Sequence, residues 1–112
     1  MEIRELMRKL SEATGVSGNE EEITKLICKY FSMYTDNIET DALGNVICFK
    51  KGQNENNIRI MLAAHMDEIG LMVKEIDKNG FIKFTNIGGI DQRTLLCQEV
   101  IIHGKEKVFG II

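Results

Sequence analysis

His65 and Asp67 are the residues whose types and spacing point most directly to chemistry. They lie two apart in Ala63-Ala64-His65-Met66-Asp67-Glu68-Ile69-Gly70, directly after Ile58 to Ala64, an apolar run broken only by Arg59. A run of that kind reads as a strand covered on both faces. In open α/β sheets, ligand sites gather in the loops beyond the carboxyl ends of strands. Neutral imidazole is a good ligand for zinc or cobalt, and a nearby carboxylate can ligate as well or hold the ring's other nitrogen. One His and one Asp do not complete a coordination sphere, because a hydrolytic zinc takes about three protein ligands and an open position. Spacing alone thus leaves two readings, a surface polar pair and part of a metal site. The other histidine, His103, falls within an expected strand and reads as structural or solvent-facing.

Other reactive residue types have plainer readings. Glu20, Glu21 and Glu22 follow Ser17-Gly18-Asn19 and suit the positive end of a helix dipole. Gly88-Gly89 is too short to cradle a phosphate, and no helix pattern follows it. The methionines occupy largely apolar stretches and read as core filler. Cys28, Cys48 and Cys97 stand singly, which suits buried free thiols in a reducing compartment better than a disulfide frame or zinc knuckle.

The elements around these residues can be read from periodicity. Ile3, Leu6, Met7, Leu10 and Ala13 form one apolar stripe at helical spacing, and Ile23, Leu26, Ile27, Tyr30, Phe31 and Tyr34 form a second. Helices are predicted over Glu2 to Ala13 and Asn19 to Met33, packed on a strand at Ile58 to Ala64. Ser17 with Glu20 reads as a capping box at the start of the second helix. Ile38 to Thr40 and Val46 to Phe49 flank a turn at Asp41 to Asn45, and Lys51 to Asn57 reads as a polar loop. After Gly70 the pattern is strand and turn. Leu71 to Ile76 and Phe81 to Phe84 bracket Asp77-Lys78-Asn79-Gly80. Glu99 to Ile102 precedes a turn at Gly104 to Lys107, and Val108 to Ile112 reads as an apolar strand whose partner is expected beyond Ile112.

Bulk composition narrows the function classes. The 112 residues suffice for one small domain, and 44% hydrophobic with 28% charged residues is ordinary for a soluble globular protein. The net charge of −3 is dispersed, with no basic stripe of the kind that phosphate backbones require. No apolar run approaches the roughly 20 residues of a membrane span. The N-terminus carries acidic residues and no apolar signal core, so a cytoplasmic location is expected.

The sequence resembles the tetrahedral (TET) glutamyl aminopeptidases, a family also catalogued as cellulase M or endoglucanase M. The likeness rests on LSEATGVSGNEEE at Leu10 to Glu22, Asp41 to Val46, AHMDEIGLMV at Ala64 to Val73, Gly88-Gly89, and Gln98 to Gly104. It implies an α/β fold. Residues 1–69 would supply two helices and the first strands of a metallopeptidase catalytic domain. Residues 70–112 would begin an inserted β-rich domain used for dimerisation. It also implies a dinuclear centre of zinc or cobalt that activates water for attack on the first peptide bond. His65 would be a ligand of one ion, and Asp67 the carboxylate that orients His65. The other ligands and the general base of family members have no counterpart here, so the 112 residues are expected to be inactive and to bind no metal tightly. Short peptides would be the substrates of the complete enzyme, which would assemble into a dodecamer, with no nucleic acid or membrane partner.

Two other function classes remain open at this level. The chain could be a non-catalytic interaction and oligomerisation module. It could also belong to a glycoside hydrolase, as the endoglucanase name suggests. That chemistry needs paired carboxylates across a cleft, and a sugar site would normally be rich in aromatics, whereas this chain has no Trp and only 6% aromatic residues.

Overall fold

A computed structural model of the chain describes residues 2–53 and 58–112. The chain divides into two compact units, Met1–Gly70 and Leu71–Ile112. The architecture is small α/β, with two helices and short strand pairs.

In the first unit, helices α1 (Ile3–Glu12) and α2 (Glu21–Phe31) form where the apolar stripes predict them, each a residue or two shorter at both ends. Leu6, Leu10, Leu26 and Ile27 are half-buried. Ile23, 4% exposed, is the only fully buried apolar side chain among the described residues. Strands β1 (Ile38–Thr40) and β2 (Val46–Cys48) pair antiparallel, Glu39 opposite Ile47, and α2 lies against β2. Asp41 builds their connection. Its Oδ1 accepts from the Leu43 and Asn45 backbone N–H groups at 2.9 Å each, and Gly44 takes the left-handed φ of +89° that closes the turn.

The capping box does not form. Residues 16–19 make a turn of their own, the Asn19 N–H donating to the Val16 carbonyl at 2.7 Å, with Gly18 at φ +89°. The turn delays the helix to Glu21 and leaves Glu20 at the cap position with no side-chain cap bond. Glu20 accepts from the Gly18 N–H at 2.7 Å instead.

Ile58 to Ala64 is not a strand. No described residue pairs with it, and Ile58, Ile60, Met61 and Leu62 are 89, 81, 88 and 92% exposed. A strand exists only where another backbone completes its hydrogen bonds, so an apolar run without a neighbour gains nothing from the ladder. The helices therefore do not pack on a strand at Ile58 to Ala64, and the strand that lies against α2 is β2. The expected polar loop at 51–57 lies partly outside the described residues.

The second unit is built from β3 (Gly70–Ile76, its first residue in the preceding unit), β4 (Ile82–Ile87), a 3-10 turn at Gln92–Thr94, β5 (Glu99–His103) and β6 (Lys107–Ile111). β3 pairs with β4 across a turn in which Asp77 repeats the role of Asp41. Asp77 accepts from Asn79 and Phe81 N–H groups at 2.8 and 2.9 Å, with Gly80 at φ +89°. β5 pairs antiparallel with β6, Ile101 opposite Phe109 and His103 opposite Lys107. The last apolar strand thus finds a partner within the chain, contrary to the expectation that it lay beyond Ile112. A three-residue connection, Gly104 to Glu106, is enough to bring two antiparallel strands together.

Cys28 and Cys48 are half-buried free thiols, whereas Cys97, expected inside, is exposed at a left-handed φ of 63°. No helix among the described residues is long and apolar enough to cross a membrane.

Candidate functional site

His65 and Asp67 do converge, and the segment between the two helices holds them. The His65 Nδ1 lies 3.0 Å from the Asp67 carbonyl oxygen and 3.1 Å from Asp67 Oδ1. A backbone carbonyl can only accept, so Nδ1 carries the proton and shares it between the two oxygens. In the neutral ring the lone pair is then on Nε2, and the imidazole is 86% exposed. A ring held by one nitrogen with its other nitrogen open is how histidine is presented to a metal.

The other oxygen of the carboxylate is also engaged. Ser17 Oγ donates to Asp67 Oδ2 at 2.5 Å, across fifty positions of sequence. That hydroxyl holds the Asp67 carboxyl below the usual carboxylate range against the opposing effect of desolvation, and the His65 ring adds to the lowering. Asp67 therefore stays ionised as an acceptor.

Backbone contacts fix the two segments together. Glu68 N–H donates to the Gly15 carbonyl at 2.8 Å, Gly15 N–H to Glu68 Oε1 at 3.1 Å, and Ser17 N–H to the Glu68 carbonyl at 3.3 Å. Val16 and Glu68 make a parallel bridge. Two glycines permit the close approach. A Cβ on Gly15 would sit 2.7 Å from Ile23 Cγ2, and one on Gly70 would sit 2.5 Å from Val16 Cγ1. Ile23 thus serves as the floor under the loop that carries Ser17.

Spacing in the sequence singles out His65 and Asp67 but places Ser17 at a helix cap. Ser17 was hidden because its signal is tertiary. The donor set fits one metal ligand with its orienting carboxylate, and no more. Among the described residues no group of three or more His, Cys, Asp or Glu side chains is arranged to hold an ion. His103 lies on β5 in the other unit, exposed and opposite Lys107.

The chain is similar to known proteins along most of its length. The M42 glutamyl aminopeptidase family model matches residues 44–112. A protein of Acetivibrio thermocellus is 45% identical over 96 residues, 86% of this chain and 28% of the relative. The lysyl aminopeptidase of Pyrococcus furiosus is 43% identical over 110 residues, 96% of this chain and 31% of the relative. Among solved structures, the TET aminopeptidase of a marine sediment thaumarchaeon superposes with a TM-score of 0.87 at 38% identity, covering 96% of this chain and 30% of that one. The dodecameric PhTET1-12s gives 0.84 at 34% identity, covering 99% and 33%. A Thermotoga maritima protein named endoglucanase gives 0.79 at 35%, covering 90% and 32%. The chain thus spans about 30% of the length of the relatives it matches. With more than half of its residues inside the family model, the chain belongs to the M42 glutamyl aminopeptidase family.

Proposed function

We propose that this chain is a portion of a metal-dependent aminopeptidase that removes N-terminal residues from short peptides. The observation that carries the reading is the His65 ring, held at Nδ1 by Asp67 and open at Nε2. His65 would be one ligand of a dinuclear zinc or cobalt centre, and Asp67 would set the ring's tautomer and direction. The remaining ligands and the general base would come from the rest of the longer protein. When bound, such ions polarise the scissile carbonyl and lower the pKa of the attacking water. What these residues contribute is an imidazole fixed at Nδ1 and open at Nε2, with an ionised carboxylate behind it. With one ligand in hand, the 112 residues alone would bind metal weakly and turn over no substrate.

Residues 1–69 are read as part of the catalytic domain and residues 70–112 as the beginning of an inserted β-rich domain for subunit contacts. The division of the chain at Gly70 and the likeness to a dodecamer support this reading. Free, unpaired cysteines favour a cytoplasmic enzyme.

The deciding experiment assays the full-length protein on aminoacyl and peptide substrates and on carboxymethylcellulose, before and after chelator treatment. Amino acid release that is lost with chelator and restored by zinc or cobalt is expected. Release of reducing sugar without peptide hydrolysis would favour the glycosidase that one neighbour's name suggests. No activity on either would favour an interaction module.

A further inference from the structure

We propose that Ser17 is a positioning residue for the His65–Asp67 pair, its hydroxyl pinning the Asp67 carboxylate so that Oδ1 faces the imidazole. The inference rests on the reading of His65 as a metal ligand. The torsion that turns an aspartate's carboxylate is broad and roughly two-fold, so the side chain does not fix its own plane. Two contacts do: Ser17 Oγ on Oδ2 at 2.5 Å, and His65 Nδ1 on Oδ1 at 3.1 Å. A hydroxyl donating to an ionised carboxylate at that distance is among the stronger hydrogen bonds a neutral group can make.

The hydroxyl is separable from the loop that carries it. Ser17 N–H to Glu68 O, Glu68 N–H to Gly15 O, and Gly15 N–H to Glu68 Oε1 hold the two segments without it. Ser17→Ala should therefore leave the loops together and free only the carboxylate. Asp67 is 42% exposed, so water can partly replace the lost donor. Outer partners of metal ligands typically contribute about 10- to 100-fold in metal affinity, and one step further out with water at hand the effect should fall to about 3- to 10-fold.

The test measures zinc affinity of the full-length protein by chelator competition, for wild type, Ser17→Ala, Ser17→Thr, Asp67→Asn and the Ser17→Ala/Asp67→Asn double variant. Ser17→Ala should weaken zinc about 3- to 10-fold, and Ser17→Thr, which keeps a hydroxyl, should restore it. In the Asp67→Asn background Ser17→Ala should add little, because a residue acting through Asp67 has nothing left to act on. Unchanged affinity in Ser17→Ala, an equal further loss in the double variant, or an unfolded Ser17→Ala protein would each overturn the inference. A wild-type protein that binds neither zinc nor cobalt would instead overturn the metal-ligand reading, and this inference with it.

Discussion

The two nitrogens of His65 are chemically unequal, and that inequality sets what each substitution should do. Nε2 is the open nitrogen, so on the function proposed above His65→Ala in the full-length protein would remove a metal ligand and should abolish peptide hydrolysis, measured as amino acid release. Asp67→Asn should lower activity by about 10- to 100-fold and no further. It discards the anionic acceptor, yet the Asp67 carbonyl, 3.0 Å from Nδ1, still holds the ring proton. A loss as complete as that of His65→Ala would mean that Asp67 touches the metal or substrate itself. The pair was legible in the sequence because the two residues are two apart and follow an apolar run. Ser17 was not, because Ser-x-x-Glu satisfies a local helix-start pattern, while its actual partner lies fifty residues on. Short-range patterns report local hydrogen bonding, whereas the Ser17 hydroxyl donates to a carboxylate that only the fold brings near.

The turns and helices were readable for the opposite reason, since their causes are local. Asp41 and Asp77 each accept two backbone N–H groups within four residues, with glycine at the left-handed position. At Asp41 the Asn45 side chain, then its N–H, holds the carboxyl below the usual range. A depressed folded pKa means the contribution is present above the unfolded value of about 3.9 and is lost as pH falls through the folded one. The Leu43 and Asn45 amide resonances should therefore hold through mild acid and titrate below that value, and Asp41→Ala should shift them at neutral pH. The glycine contacts give a sharper prediction. A Cβ at position 70 meets both methyls of Val16, at 2.5 and 2.8 Å, and a β-branched side chain has little room to turn. Gly70→Ala should destabilise the full-length protein by about 1–3 kcal/mol in denaturant melts, as overpacking does. Adding Val16→Ala should recover much of the loss. No recovery would show that the strain lies in the backbone and not in that contact. Ile58 to Ala64 defeated the same style of reading. Its composition is that of a buried strand, but pairing is a property of two segments and only one is present among the described residues.

The chain's total surface shows what that unpaired segment means for the whole molecule. The accessible area is 10071 Å², whereas a folded monomer of 12.7 kDa should expose about 6,200 Å². Treating the two units as independently folded raises that figure only to about 7,500 Å². The excess is apolar in part, since Ile58, Ile60, Met61 and Leu62 are each at least 81% exposed. Covering even ~400 Å² of such surface is worth about 10 kcal/mol before entropic costs, far more than a small unit can forgo. In the full-length protein the cover is expected from the rest of the chain, and in the isolated 112 residues from a second copy. Leu62→Lys should consequently act in opposite directions. In the full-length protein it buries a charge and should lower the melting temperature and the yield of folded protein. In the isolated 112 residues it interrupts an exposed apolar run and should reduce the self-association that light scattering detects at tens of micromolar. If the isolated wild-type chain were monomeric, or if the substitution destabilised neither form, Ile58 to Ala64 would be a surface segment in its own right and not half of an unfinished core.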